Sequence, residues 1–321
     1  MQRRNFFKSL LGLFVAVPAL NVATQAAASP AMDTTNITAQ AGTPWSAKDK
    51  PGDLYAEAVQ YLSESELMRA LPWLDIAGGS FTYIQEGWLP GIAFKGRPET
   101  MNSGVGVVNP TVEVLKIAGG DCDVDKALIK THGEAIVPAQ RRMYLREKAY
   151  YLTNSLVNGD SDVDPRVADG LRQRFVGGQH FQVNGVLSRT VLDQAIAMVD
   201  DPNYLLVSVE MRDAMKKRRL LKRTKGTYRY TTADEDNTVT VIVDYRLEGK
   251  PAILETDAYV LNIGKHGVTG LQNGSVQVDD LGYVEHIPVQ RTRYEWLVAL
   301  GVMSGRAGVR LSGLTGARLT A

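Results

Sequence analysis

The chain has one cysteine in 321 residues, Cys122, so it can form no intrachain disulfide and no zinc site built from several cysteines. Its four histidines, His132, His180, His266 and His286, are widely separated, and none has a partner at metal-ligand spacing. The patterns HExxH, CxxC, GxSxG and GxxxxGK(S/T) are all missing. That removes the usual signatures of zinc hydrolases, thiol redox proteins, serine hydrolases and phosphate-loop enzymes. A surplus of one charge sign is lacking too. With 36 basic and 35 acidic residues the net charge is +1, so a polyanionic partner would have to be met by a local patch. What the chain does have is 44% hydrophobic residues, enough for a sizeable core and too many for a disordered protein.

The stretch RRNFFKSLLGLFVAVPAL, residues 3–20, sets Arg3, Arg4 and Lys8 before an apolar run too short to span a bilayer. Small residues follow, with an Ala-x-Ala site at Ala26 and Ala28. This is the layout of a twin-arginine secretion signal. A basic amphipathic arm, or an upstream extension of a reading frame that starts at Met32, would look the same. Residues 1–30 are expected to be unfolded or removed, and export stays open.

Residues 33–52 show little periodicity and read as an arm or linker. DLYAEAVQYLSESELMRALPW then predicts one helix, or two short ones, with Leu54, Ala58, Tyr61, Leu62, Leu67 and Leu71 on an apolar side and Pro72 closing it. DIAGGSFTYIQE, WLPGIAFKG and NPTVEVLKIAGGDCDVD have strand character, and the Gly-, Asn- and Pro-rich RPETMNSGVG between them makes a long hairpin the natural reading.

At the end of that hairpin Asp121, Asp123 and Asp125 occupy alternate positions, with Cys122 and Val124 on the opposite side of a strand. A calcium loop would need Gly at its sixth position and Glu at its twelfth, where this chain has Lys126 and His132. The triplet therefore reads as a polar strand edge whose carboxylates face solvent or a neighbour's basic residues, with Asp125 placed to cap a following helix.

PAQRRMYLREKAYYLTNSLVNG predicts the longest helix, with Pro138 at its first position and Asn158-Gly159 as its stop. Met143, Leu145, Ala149, Leu152, Leu156 and Val157 would form its apolar stripe, with the arginines and lysines mainly on other faces. Beyond it come a capped helix in LSRTVLDQAIAMVDD, a buried strand in NYLLVSVE, a basic helix in EMRDAMKKRRLLKR and several strands. The irregular mixture predicts an α+β fold without the βαβ rhythm of a nucleotide fold.

Taken in order, ELMRALPWLDIAGGSFTY, LPGIAFKG, LKIAGGDCDVDKALIKT, LVNGD, PRVADGLRQRF, GVTGLQNGSVQVDDLG and RTRYEWLVALGVMSGRAGVRLSGL resemble the major capsid proteins of tailed bacteriophages. The resemblance runs from residue 54 to 314. It implies a Hong Kong 97-like capsid fold, with an N-terminal arm over residues 31–74 and an extended hairpin loop over 75–118. A peripheral domain with a spine helix would follow over 119–186, an axial domain over 187–282, and return strands with the C-terminus over 283–321. It further implies a structural subunit of an icosahedral, DNA-enclosing shell, with no enzyme activity, cofactor, metal or small-molecule substrate. Its partners would be copies of itself in hexamers and pentamers, scaffold and portal proteins, and non-specifically bound double-stranded DNA. Such a protein assembles in the host cytoplasm and ends in the virion, which the secretion-like N-terminus does not match. An encapsulin-like compartment shell, and an exported periplasmic binding protein or enzyme, are the alternatives.

Two groups of residues stand out as interaction candidates. Trp88, Pro90 and Phe94 in the hairpin, with Arg291 and Arg293 near the C-terminus, are candidate assembly contacts. Lys216, Lys217, Arg218, Arg219, Lys222 and Arg223 form the densest basic run. It suits either phosphate contacts to DNA or a solvated helix face with inter-subunit ion pairs.

Overall fold

The computed structural model describes residues 53–88 and 107–315. Helices α1 (Asp53–Leu62) and α2 (Glu66–Ala70) lead into strands β1 (Trp73–Asp75), β2 (Ser80–Trp88), β3 (Val107–Val114), β4 (Lys116–Ile117) and β5 (Gly120–Asp125). Helices α3 (Lys126–His132), α4 (Ile136–Asn158) and α5 (Leu171–Arg174) follow, then β6 (His180–Gly185), α6 (Arg189–Ala197), β7 (Tyr204–Val207) and α7 (Val209–Lys217). The chain finishes in strands: β8 (Leu221–Thr224), β9 (Thr227–Thr231), β10 (Thr238–Val243), β11 (Ala258–Leu261), β12 (Val268–Gln272), β13 (Gln277–Tyr283), β14 (Val289–Glu295), β15 (Leu297–Val302) and β16 (Gly308–Leu314).

Four sheets result. They run β1-β12-β15-β4, β6-β16-β11-β7-β10-β9-β8, β13-β14-β5, and the hairpin β2-β3. The α+β expectation therefore holds. The segment read as one helix or two is two, because Ser65 breaks it. Its hydroxyl accepts from the Met68 N–H at 3.4 Å and lies 2.8 Å from the Thr153 hydroxyl, so the break is itself buried and capped.

The largest core packs α1, α2 and α4 against β14 and β15 through Ala58, Leu62, Leu145, Ala149, Leu152, Tyr294, Trp296 and Leu300. A second core joins Leu192, Ala195 and Ile196 of α6 and Met211 and Met215 of α7 to the inner strands of the seven-stranded sheet. The 23-residue α4 spans about 35 Å at ~1.5 Å per residue. Pro138 is its third residue, still within the first turn, where a backbone N–H has no helical partner to lose. At the far end Gly159 is required by space, since a Cβ there would collide with the carbonyl oxygens of Ala168 and Ser155.

Three expectations need correction. Met143 is 66% exposed, while Arg141 and Lys148 share the buried side of α4. Their chains are long enough to reach acceptors on β13 and β14, and those acceptors were invisible in the local pattern. The basic segment is not one helix: α7 stops at Lys217, Arg219 takes φ 58°, and the chain enters β8. Leu221 there pairs opposite the buried Tyr230, which draws the segment into the sheet. Finally, residues 283–321 do not all join one return layer. β16 lies between β11 and β6, with Val309, Leu311 and Leu314 in the second core, while β12 and β13 pair with β15 and β14. The other face of β16 carries Arg310, paired with Asp257, and Ser312, hydrogen-bonded to His180, so a central place in the sheet leaves neither polar group unmatched.

Candidate assembly surface

The hairpin β2-β3 is paired from Ser80↔Val114 to Trp88↔Val107, with an irregularity between Glu86 and Trp88. Near its base the usual polarity is inverted. Glu113 is 3% exposed, whereas its neighbours Val112 and Val114 are 58% and 50% exposed. Alternation along the strands puts Ile84, Val112 and Val114 on one face with the exposed Thr82 and Pro110, opposite a face carrying Tyr83 and Glu113. Ile84 is 54% exposed, and Ile117 just beyond is 69% exposed.

The inversion is held by partners from elsewhere in the chain. Tyr83 Oη donates to Glu113 Oε1 at 3.0 Å, and Arg174 of α5 donates to Glu113 Oε2. The Val302 N–H of β15 reaches Tyr83 Oη at 3.4 Å. Burial, reinforced by the Glu113 carboxylate, pushes the Tyr83 phenol above its ordinary range and keeps it a donor. The buried face is thus a polar lock, in which Arg174 Nε alone is left without a hydrogen-bond partner. The exposed face has no cover among the described residues, although water contact at these valines and isoleucines is unfavourable by about 25 cal/mol per Å².

The Asp triplet sits on β5 with Cys122 and Val124 buried between its members, as the alternation predicts. Asp125 caps α3 by accepting from the Ala127 N–H at 2.7 Å. The other two carboxylates are engaged by arginines of their own chain, with Asp123 still exposed to solvent. Arg293 grips Asp121 with Nε and Nη2 at 2.7 and 2.9 Å, and Arg291 grips Asp123 with both at 2.7 Å. These are direct cross-strand pairs on β5 and β14. The Arg293 hydrogen bond holds the Asp121 carboxyl below its usual range, against a smaller opposing effect of burial. So Arg291 and Arg293, read as assembly contacts, are matched inside their own chain.

Beneath this ladder, Arg141 Nε donates to Thr292 Oγ1 at 3.0 Å and Nη2 reaches Asp280 Oδ2 at 3.1 Å. Lys148 donates to the Tyr294 carbonyl at 3.0 Å. Burial pushes the Lys148 amine down to about 8, partly countered by Glu295. Lys148 also lines a cavity of about 330 Å³ with Lys116, Asp164, Arg166 and Asp169.

Of the other predicted residues, Trp88 is the last residue of β2. Pro90, Phe94, Arg3, Arg4, Ala26 and Ala28 lie outside the described residues. The six basic residues of the run are all exposed, on α7, the turn after it and β8. The strand pattern from Ser80 to Val114 predicts poorly covered apolar residues in this hairpin, but through Trp88 and Phe94 and not through Ile84, Val112 and Val114. Their only signal was the alternation about Glu113, and a glutamate would ordinarily be assigned to the outer face. Among the described residues no group of three or more His, Cys, Asp or Glu could hold a metal ion.

No protein-family model matches the chain, and no curated protein does. Solved structures do. An encapsulin of Synechococcus elongatus, in its holo-SrpI complex, is similar at 17% identity and TM-score 0.58, over 79% of this chain and 89% of that one. A chain of Mycobacterium phage Cain is similar at 14% identity and TM-score 0.57, covering 80% and 91%. The capsid of a native GTA particle is similar at 12% identity and TM-score 0.56, covering 78% and 90%. The chain has the Hong Kong 97-like fold shared by phage capsids and encapsulins.

Proposed function

We propose that this chain, which carries the fold of capsid and compartment shells, is the major capsid subunit of an icosahedral virus and self-associates to enclose DNA. The observation that carries self-association is the uncovered apolar face Ile84, Val112 and Val114, held outward by the Tyr83–Glu113–Arg174 lock. An isolated chain gains nothing from that face, whereas a neighbouring copy laid against it removes it from water. Many such modest contacts, repeated by symmetry, stabilise a closed assembly. In this reading the protein's role is structural, its principal partner is another copy of itself, and assembly takes place in the host cytoplasm. Scaffold and portal proteins are further partners of the same proposal.

An encapsulin-like compartment is the second reading, favoured by the likeness to the Synechococcus shell. Particles isolated from the organism that makes the protein separate the two. A capsid should contain nuclease-protected DNA of defined length. Particles holding protein cargo and no protected DNA would establish the compartment instead.

A further inference from the structure

Charge along this chain is distributed very unevenly. Residues 209–231 hold nine basic side chains and two acidic ones, a net of +7, so the remaining residues sum to −6 within a total of +1. The two acids are already engaged, Glu210 with Arg246 and Asp213 with Arg212. Among the described residues no carboxylate forms an ion pair with Lys216, Lys217, Arg218, Arg219, Lys222, Arg223, Lys225 or Arg229. The nearest acids in sequence, Asp234, Glu235 and Asp236, lie beyond the other end of β9.

The fold arranges these cations on a hairpin. Lys222 pairs opposite Arg229, and Arg223 opposite Tyr228, so charge is presented on both faces of the β8-β9 ribbon. On the Tyr228 side, Arg212, Lys216 and Arg223 stand 5.8, 5.7 and 5.7 Å from the ring centroid, which holds three like charges at one place. Thr224↔Thr227 closes the ribbon with a two-residue turn of Lys225 (φ 50°) and Gly226 (φ 84°). A turn with two positive φ values favours Asn or Asp at its first position, yet lysine stands there. Arg219, at φ 58°, likewise occupies a position where Gly or Asn is favoured. Protecting β8 as an edge strand would take only one or two charges.

We infer that the β8-β9 ribbon and the end of α7 form a binding site for the phosphate backbone of double-stranded nucleic acid. A two-stranded ribbon fits the major groove of a duplex, and cations on both of its faces then meet the phosphates lining each side. A flexible acidic peptide would satisfy one face at a time. The contacts are to backbone, so binding is independent of sequence and sensitive to salt. This inference holds for the chain by itself, whether or not it builds a shell.

The test is fluorescence anisotropy of a labelled duplex of about 30 bp with the full-length chain, kept below shell size as verified by light scattering, from about 50 to 200 mM NaCl. The variant K222Q/R223Q/K225Q should lose at least about tenfold in affinity, and its slope of log K against log salt should flatten by about 3. The control K130Q/R142Q/R172Q removes the same charge from exposed sites elsewhere and should stay within about twofold of wild type. Lys225→Asn relieves the turn while removing one charge, so it should fold at least as well and flatten the slope by about 1. The inference is overturned by wild type that does not bind at the lowest salt, or by hairpin and control variants that weaken equally. Displacement of the duplex by polyglutamate at equal charge concentration would overturn it as well.

Discussion

The Glu113 carboxylate, 4% exposed, is buried against the guanidinium of Arg174, 61 residues later in the chain. This pair turns the base of the β2-β3 hairpin inside out and leaves Val112 and Val114 facing solvent. Removing one partner leaves the other charge buried without compensation. Arg174→Met should therefore lower stability by about 3–5 kcal/mol in chemical denaturation, and E113Q/R174M should recover part of that loss. Equal losses in the single and double variants would show that the ion pair is not what holds the hairpin base.

Lys148 should leave a mark on the alkaline side. Its folded-state amine sits at about 8 against an ordinary 10.5, so between those values the unfolded chain binds the extra proton and stability rises with pH. Below pH 8 the burial penalty is present in full, on the order of 3 kcal/mol. Lys148→Met should thus compare best with wild type near pH 7, and its advantage should shrink towards pH 10. Parallel stability curves for the two proteins over this range would contradict the assignment.

The Asp–Arg ladder makes the opposite prediction on the acid side. The Asp121 carboxyl is held below its ordinary value, so its contribution is present above that value and is lost as pH falls through the folded one. Wild type should lose stability between about pH 5 and 3 more steeply than D121N, because the variant has no such carboxylate to protonate. Calcium titration calorimetry should show no stoichiometric site in either protein, since these oxygens are engaged by arginine. A wild-type calcium site that disappears in the variant would reverse this reading.

What was legible in the sequence was whatever neighbouring residues decide among themselves. The period-2 pattern around Cys122 and Val124 oriented β5, and Asp125 before a helical run announced its cap. Leu145, Ala149, Leu152, Leu156 and Val157 marked the buried side of α4. Long-range pairing decided the rest. Glu113 could not be placed inside without knowing of Arg174, nor Arg141 and Lys148 without Thr292 and Tyr294. The basic run looked helical because nothing local showed that Leu221 would pair opposite Tyr230. The candidate interface was the least visible part, since Val112 and Val114 are ordinary core residues until Glu113 takes the inner face.

The central claim is that the apolar hairpin face is covered by another copy of this chain. Light scattering with negative-stain microscopy of the purified full-length protein tests it most directly, run in parallel with V112S/V114S. These side chains are exposed and make little of the monomer's core, so the variant should keep wild-type stability within about 0.5 kcal/mol. Wild type is predicted to form closed shells of uniform diameter, and the variant to remain as small folded species. Wild type that stays monomeric as concentration and salt are raised, or a variant that builds the same shells, would contradict the account.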